Sequence, residues 1–171
     1  MINELNNKEN VKSEVLISRL SERVGDHLRK HGLVLVTAES CTGGWLSKVI
    51  TEVPGSSVWF DCGFVTYSNA SKTAMLGVES HLIEQYGAVS VQVVEAMVAG
   101  ALARSRGTVA VSVSGIAGPD GGSDEKPVGL VCFGWGKKEQ AIHSQIQQFV
   151  GSRDQIREQS VVFLLQKILE L

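Results

Sequence analysis

The chain has 171 residues, of which 43% are hydrophobic, with 16 Lys and Arg against 18 Asp and Glu. This length fits a single domain with a sizeable core, and the hydrophobic content excludes a disordered chain. The formal net charge of −2 disfavours a protein whose main partner is a nucleic acid, because binding to that backbone normally requires a basic face. We therefore expect no nucleic-acid partner.

Signals for a membrane or for an oxidising compartment are not found in the sequence. Residues 1–12 (MINELNNKENVK) are polar, and no apolar run approaches the ~18 to 20 residues of a membrane span. Cys41, Cys62 and Cys132 lack CxxC spacing and the four histidines are scattered, which predicts neither a disulfide framework nor a metal site. We expect a cytoplasmic protein without cofactor or membrane contact, in which a flexible polar leader (1–12) precedes one domain (13–171).

The predicted elements alternate between helix and strand. Leu16, Leu20, Val24 and Leu28 recur every four residues and predict a helix over 13–31. Further helices are predicted over 45–51, 71–76, 91–106 and 156–171, and strands over 33–36, 59–67, 109–113, 128–135 and 142–150. The hairpin at 136–140 is too short for a parallel crossover, so the last two strands should be antiparallel. The pattern predicts an α/β fold, a three-layer α/β/α sandwich with a mixed, mostly parallel sheet.

Two glycine-rich loops follow the first and third predicted strands, over 37–44 (TAESCTGG) and 114–127 (SGIAGPDGGSDEKP). Ligands of such folds bind beyond the carboxyl ends of strands, so both loops should converge on one site. The helix after the first loop offers free N–H groups to a phosphate or an oxyanion, unless Ser40 or Thr42 simply caps it. The second loop can form an anion nest beside Lys126; the alternative is a mobile surface loop.

Two candidate nucleophiles, Ser40 and Cys41, are adjacent in the first loop, and the residues alone do not choose between them. Tyr67 is predicted at the end of a strand and Lys72 in the first turn of the next helix. A lysine desolvated in a cleft can act as a general base toward a serine, whereas the alternative for Lys72 is a solvated surface charge. Arg153 and its neighbour Asp154 open the last helix, where capping and charge balance are expected; the alternative for Arg153 is contact with a phosphate, and it is left outside the predicted site.

Four motifs, in this order and spacing, resemble the CinA C-terminal domain family. They are 37–44, 63–69 (GFVTYSN), 87–90 (GAVS) and 112–122 (SVSGIAGPDGG), the last followed by 126–129 (KPVG). The resemblance covers roughly residues 16–169 and is strongest to the stand-alone members, which are nicotinamide-nucleotide amidohydrolases. It implies a three-layer α/β/α fold and hydrolysis of the carboxamide of nicotinamide mononucleotide to nicotinate mononucleotide and ammonia, a step of pyridine-nucleotide salvage, without metal or cofactor.

The resemblance also implies roles for individual residues. Ser40, Tyr67 and Lys72 match the family's catalytic serine, tyrosine and lysine. Together with the loop patterns it predicts these substrate-binding residues: Cys41, Thr42, Gly43, Gly44, Ser114, Gly115, Gly118, Gly121, Gly122 and Lys126. Many relatives have threonine where this chain has Ser114, and the hydroxyl is kept.

Two other functions compete with the amidohydrolase. A non-catalytic nucleotide-binding module is the main alternative, since many relatives fuse this domain to a second one; a lone domain that keeps Ser40, Tyr67 and Lys72 favours the enzyme. A DNA-processing role is disfavoured by the acidic balance. The resemblance also implies a homo-oligomer, with a dimer expected.

Overall fold

The computed structural model describes the backbone of residues 2–171 and the side chains from residue 11 onward. Its helices are α1 (Ile2–His31), α2 (Trp45–Thr51), α3 (Asn69–Leu76), α4 (Ser80–Tyr86), α5 (Val91–Ala103) and α6 (Arg153–Ile168), with a short 3₁₀ turn at Ser56–Val58. Its strands are β1 (Leu35–Glu39), β2 (Phe60–Val65), β3 (Val109–Gly115), β4 (Leu130–Lys137) and β5 (Ile142–Gln148). Most of the predicted leader lies outside the described side chains, and its separation from the domain stays a prediction.

The strands form one mixed sheet in the order β2-β1-β3-β4-β5. Strand β1 pairs in parallel with β2 and β3, whereas β4 is antiparallel to both β3 and β5. All strands of this sheet except β4 therefore point the same way. The predicted mixed, mostly parallel sheet and the antiparallel final pair are confirmed.

Helices cover both faces of the sheet, because alternate residues of the buried strands point to opposite sides. Leu35 and Val109 face the layer of α1, α2 and α6, where Leu28 and Leu164 are fully buried. The neighbouring residues Val36 and Ala110 face the layer of α3, α4 and α5. The three-layer α/β/α architecture is confirmed. None of the described helices has the length and apolar character that a membrane span requires.

The main differences from the sequence prediction concern α1, β1 and α4, and the other elements shift by a few residues at their ends. Helix α1 begins well before residue 13. Strand β1 starts at Leu35 and continues through the polar residues Thr37 and Glu39, because β2 and β3 supply hydrogen bonds on both of its edges. Helix α4 was not predicted, since Ile83 is its one buried residue. Because β1 ends at Glu39, three residues later than predicted, Ser40 lies at the carboxyl edge of the sheet.

Candidate active site

Ser40 follows β1 directly and is held next to a lysine from α3. Its backbone N–H donates to Val113 O at 3.0 Å, which fixes it against the end of β3. Lys72 Nζ lies 3.0 Å from Ser40 Oγ, and both side chains are buried. Ser68 caps α3 by accepting a hydrogen bond from the N–H of Ser71, so Lys72 projects from a well-ordered first turn. The structure thus brings the predicted nucleophile and base together.

Lys72 has an environment that favours the neutral amine. Its side chain is only 1% exposed, and burial lowers the pKa of its ammonium from the ordinary value. No carboxylate in the described part of the chain forms a salt bridge with it. Nζ also donates to Thr66 O at 2.8 Å. A neutral amine that places one N–H on this carbonyl can direct its lone pair at the Ser40 hydroxyl.

Cys41, the other candidate nucleophile, is buried in a way that keeps its thiol protonated. Burial raises the pKa of this thiol to about 12. A thiol with that pKa is almost entirely protonated at neutral pH, whereas the thiolate is the reactive form. The geometry and this pKa both favour Ser40 as the nucleophile.

The start of α2 is capped by a buried acidic side chain, that of Glu39. Its Oε2 accepts hydrogen bonds from the N–H groups of Gly44 and Leu46, at 3.0 and 3.1 Å, and its Oε1 accepts from the N–H of Ser47 at 2.8 Å. These donors are consequently not free to bind a phosphate, contrary to the expectation of an open anion site at this helix. Among the described residues, the N–H groups of Cys41 and Thr42 donate to no other residue.

Tyr67 is placed beside the site but is not joined to the Ser40–Lys72 pair. Its side chain is 61% exposed, and its hydroxyl accepts a hydrogen bond from Arg153 Nη2 at 3.0 Å. Arg153 Nη1 donates to Gly118 O at 2.8 Å, so this arginine links Tyr67 to the second glycine-rich loop. The expectation that Arg153 caps α6 is wrong, because the cap is Ser152.

The second loop is fastened to the α4–α5 connection at two points. Ser114 Oγ donates to Ala88 O at 2.8 Å, and Lys126 Nζ donates to Tyr86 O at 2.6 Å and to Val89 O at 2.8 Å. Lys126 therefore uses two of its donors to position backbone.

The tip of this loop keeps free donors. Gly118 and Gly121 have φ of 78° and 89°, which only glycine adopts readily. Within the described chain, the N–H groups of Asp120, Gly121 and Gly122 donate to no protein acceptor. Gly115, by contrast, ends β3 next to Val131, where a β-carbon would come within 2.7 Å of the valine side chain.

Three residues of the site were not assigned to it from the sequence. They are Glu39, Arg153 and Arg157, whose guanidinium donates to Cys41 O at 3.2 Å and to Thr42 O at 3.0 Å. The signal for Glu39 is an acidic residue between an apolar strand and a glycine-started helix, a position suited to capping. Arg157 lies more than 100 residues beyond the loop that it contacts, so no local pattern reports it, and for Arg153 the sequence offers contact with a phosphate only as the alternative to capping. In the described residues, no group of three or more His, Cys, Asp or Glu side chains is arranged to hold a metal ion.

Known proteins share this sequence over nearly its whole length. The chain is 53% identical over 155 residues to nicotinamide-nucleotide amidohydrolase PncC of Pseudomonas putida, which covers 91% of this chain and 96% of that protein. It is 50% identical over 152 residues to the protein of that name from Escherichia coli K12, covering 89% and 92% of the two chains.

Solved structures share the fold. The crystal structure of the competence/damage inducible protein CihA from Agrobacterium tumefaciens superposes with a TM-score of 0.88 at 42% sequence identity, covering 91% of this chain and 96% of that one. A sequence model described as the CinA C-terminal domain matches residues 17–171. With the motifs, the layered sheet and these relatives in agreement, the chain belongs to the CinA C-terminal domain family.

Proposed function

We propose that this chain hydrolyses the carboxamide of nicotinamide mononucleotide to nicotinate mononucleotide and ammonia, with Ser40 as the nucleophile and Lys72 as the general base. The observation that carries the proposal is the 3.0 Å approach of Lys72 Nζ to Ser40 Oγ in a buried site. The names of relatives that are about half identical over nearly the whole chain support the choice of substrate.

In the first half of the reaction, Ser40 Oγ attacks the carboxamide carbon and Lys72 takes the hydroxyl proton. The resulting oxyanion is stabilised by backbone N–H groups, for which Cys41 and Thr42 are the candidates next to the nucleophile. The C–N bond then breaks, and Lys72 returns the proton to the leaving amino group. Ammonia departs and the nicotinoyl group stays on Ser40 as an ester.

In the second half, water attacks the ester carbon and gives a proton to Lys72. The C–O bond to Ser40 breaks, Lys72 reprotonates the serine oxygen, and nicotinate mononucleotide leaves. The proton inventory closes without a metal or a cofactor, and we propose that none takes part. Tyr67 and Arg153 are proposed to border the substrate rather than to relay protons, because in the described chain the Tyr67 hydroxyl bonds Arg153 and forms no hydrogen bond with Ser40 or Lys72.

The substrate's phosphate is proposed to bind the second loop rather than the start of α2. Glu39 already accepts the N–H groups of Gly44, Leu46 and Ser47, and a phosphate there would meet a carboxylate. Gly121 and Gly122 provide N–H groups without a protein acceptor, and Arg153 supplies a positive charge near Gly118.

The test is ammonia release from nicotinamide mononucleotide by the purified protein with EDTA present, comparing wild type with Ser40→Ala and Cys41→Ala. We expect wild type and Cys41→Ala to release ammonia, and Ser40→Ala to lose at least about a thousandfold in kcat. Activity in Ser40→Ala together with loss in Cys41→Ala would reverse the assignment of the nucleophile.

Two further outcomes of this assay contradict other parts of the proposal. Loss of wild-type activity with EDTA, restored by a divalent cation, would contradict the metal-free reaction. Mononucleotide binding with no ammonia release from wild type would favour the non-catalytic module.

A further inference from the structure

We infer that Glu39 is a positioning residue of this active site, which holds the loop bearing Ser40 in its reactive arrangement by acting as an internal anion at the start of α2. The inference rests on the proposed function. Glu39 immediately precedes Ser40, and its side chain is fully buried although it bears a carboxylate.

The carboxylate is satisfied by hydrogen bonds from neighbouring N–H and O–H groups rather than by a cation. Besides the three backbone N–H groups described above, Thr42 Oγ1 donates to Oε2 and Ser47 Oγ donates to Oε1, both at 2.7 Å, giving five bonds in all. Within the described chain no Lys, Arg or His side chain forms a salt bridge with Glu39. In the described chain the carboxylate is therefore stabilised by the N–H and O–H dipoles of the first loop and of α2 rather than by a positive charge.

Glu39 is linked to both components of the proposed chemistry, through its carboxylate to the loop of Ser40 and through its backbone carbonyl to the segment that holds Lys72. Thr42 and Gly44 belong to the loop that runs from Ser40 to α2, so their bonds to Oε2 set the path of the Cys41 and Thr42 backbone. The backbone carbonyl of Glu39 also accepts the N–H of Thr66 at 2.8 Å, and Thr66 O in turn holds Lys72. One residue thus connects the nucleophile's loop with the residue that orients the base.

Glutamine at position 39 would keep the shape of the Glu39 side chain but replace one acceptor oxygen with an NH₂ group, which donates. Whichever end carries the NH₂ group, that group faces at least one backbone N–H, either that of Ser47 or those of Gly44 and Leu46. A buried N–H left without an acceptor is costly, so the loop must shift to reach another partner or water. We expect substrate contacts at the second loop to be kept, because all five bonds of the carboxylate go to residues 42–47.

The experiment compares Glu39→Gln with wild type and with Thr37→Val in steady-state ammonia release. Thr37 is a matched control: it lies on the same strand, is equally buried, and bonds Ser47 Oγ at 2.8 Å without a hydrogen bond to the Glu39 carboxylate. We expect Glu39→Gln to lower kcat about a hundredfold with little change in KM, as a displacement of about 1 Å in reacting groups does. Thr37→Val should lower thermal stability and leave kcat near the wild-type value.

Ser47→Ala serves as a second variant should Glu39→Gln fold poorly. It removes the Oγ donor to Glu39 and the contact to Thr37, so its difference from Thr37→Val isolates the bond to Glu39. We expect kcat for Ser47→Ala about fivefold below that of Thr37→Val, since one hydrogen bond contributes about 1 kcal/mol. Equal kcat values for these two variants, or a folded Glu39→Gln protein with wild-type kcat, would overturn the inference.

A readout independent of substrate separates this inference from the proposed function. Ser40 is treated with a small sulfonyl fluoride, and the rate of its covalent modification is followed by intact mass. Slower modification of Glu39→Gln than of wild type supports the positioning role even if nicotinamide mononucleotide is not the substrate. Equal modification rates, or an unreactive Ser40 in the wild-type protein, would count against it.

Discussion

At the scale of single residues, the burial of Lys72 explains how this lysine can serve as the proposed base, which its position in the sequence alone does not. Lysine is among the residues least often buried without a partner charge, and among the described residues its Nζ has only a carbonyl and a hydroxyl as hydrogen-bond partners. Burial lowers its pKa, so the neutral amine that the reaction requires forms closer to physiological pH. The desolvation that disfavours the folded state thus favours the neutral form that the proposed mechanism requires of Lys72.

The lowered pKa of Lys72 predicts that both kcat/KM and the free energy of unfolding rise with pH, each for its own reason. The kcat/KM for ammonia release should rise with pH through the pKa of Lys72, which lies below 10.5, because the neutral fraction grows. Between that pKa and 10.5 the unfolded chain binds the proton that the folded one lacks, so the free energy of unfolding should also rise with pH. Rate profiles and urea unfolding across this range measure both.

Lys72→Met is the matched control for these profiles, since it preserves length and buries no charge. It should lose activity and lose the corresponding rise in unfolding free energy. A wild-type kcat/KM that is independent of pH over the whole range, or a Lys72→Arg protein with normal turnover, would contradict the role of Lys72 as base.

At the scale of elements, the position of Lys72 depends on how α3 packs against α5. Gly100 of α5 lies under the end of α3, where an added β-carbon would come within 2.0 Å of Leu76 O. Arg104 follows the last residue of α5, one helical turn after Gly100, and donates to the same carbonyl at 2.8 Å. This close backbone approach requires glycine in the middle of a helix, where glycine is otherwise unfavourable.

Gly100→Ala should therefore destabilise the protein although alanine is the better helix former. We expect the clash with the α3 backbone to cost about 1 to 3 kcal/mol of unfolding free energy, and kcat to fall because Lys72 moves with α3. Urea unfolding and ammonia release measure the two effects. The control is Ala99→Gly at the exposed neighbouring position, which should lose up to about 1 kcal/mol and keep its kcat. A stabilised Gly100→Ala protein would contradict the packing argument.

The same scale shows what the sequence could predict. Apolar periodicity identified α1, α5 and α6, a continuous apolar run identified β1, and an alternation of valine with small residues identified β3, because those patterns report burial directly. Ser40 and Lys72 were found through motifs at the ends of such elements. The capping by Glu39 was not, since it depends on the course of the loop between β1 and α2, and α4 was missed because a single buried residue makes no periodic pattern.

At the scale of the whole molecule, the site is assembled from segments far apart in the chain. Ser40 comes from the first loop, Lys72 from α3, and Arg153 from the start of α6, and the parallel neighbours β1 and β3 bring their loops together at one edge. Such a site requires the complete sheet and both helical layers to be in place. The dimer and the cytoplasmic location predicted from the sequence stay predictions, and neither is required by this assembly.

The division of the chain into a leader and one domain is the remaining prediction at this scale. Deletion of residues 1–12 should leave kcat, KM and the unfolding free energy unchanged, because the family match begins at residue 17 and Ile17 is the first buried position of α1 among its described side chains, which start at residue 11. Deletion of residues 1–21 is the contrasting variant: it also removes the buried side chains of Ile17 and Leu20, with an expected loss of about 3 to 6 kcal/mol. Light scattering, urea unfolding and ammonia release distinguish the two. If the protein that lacks residues 1–12 had a lower kcat and a normal free energy of unfolding, these residues would contribute to the function of the site. The single domain would then have to begin earlier than residue 13.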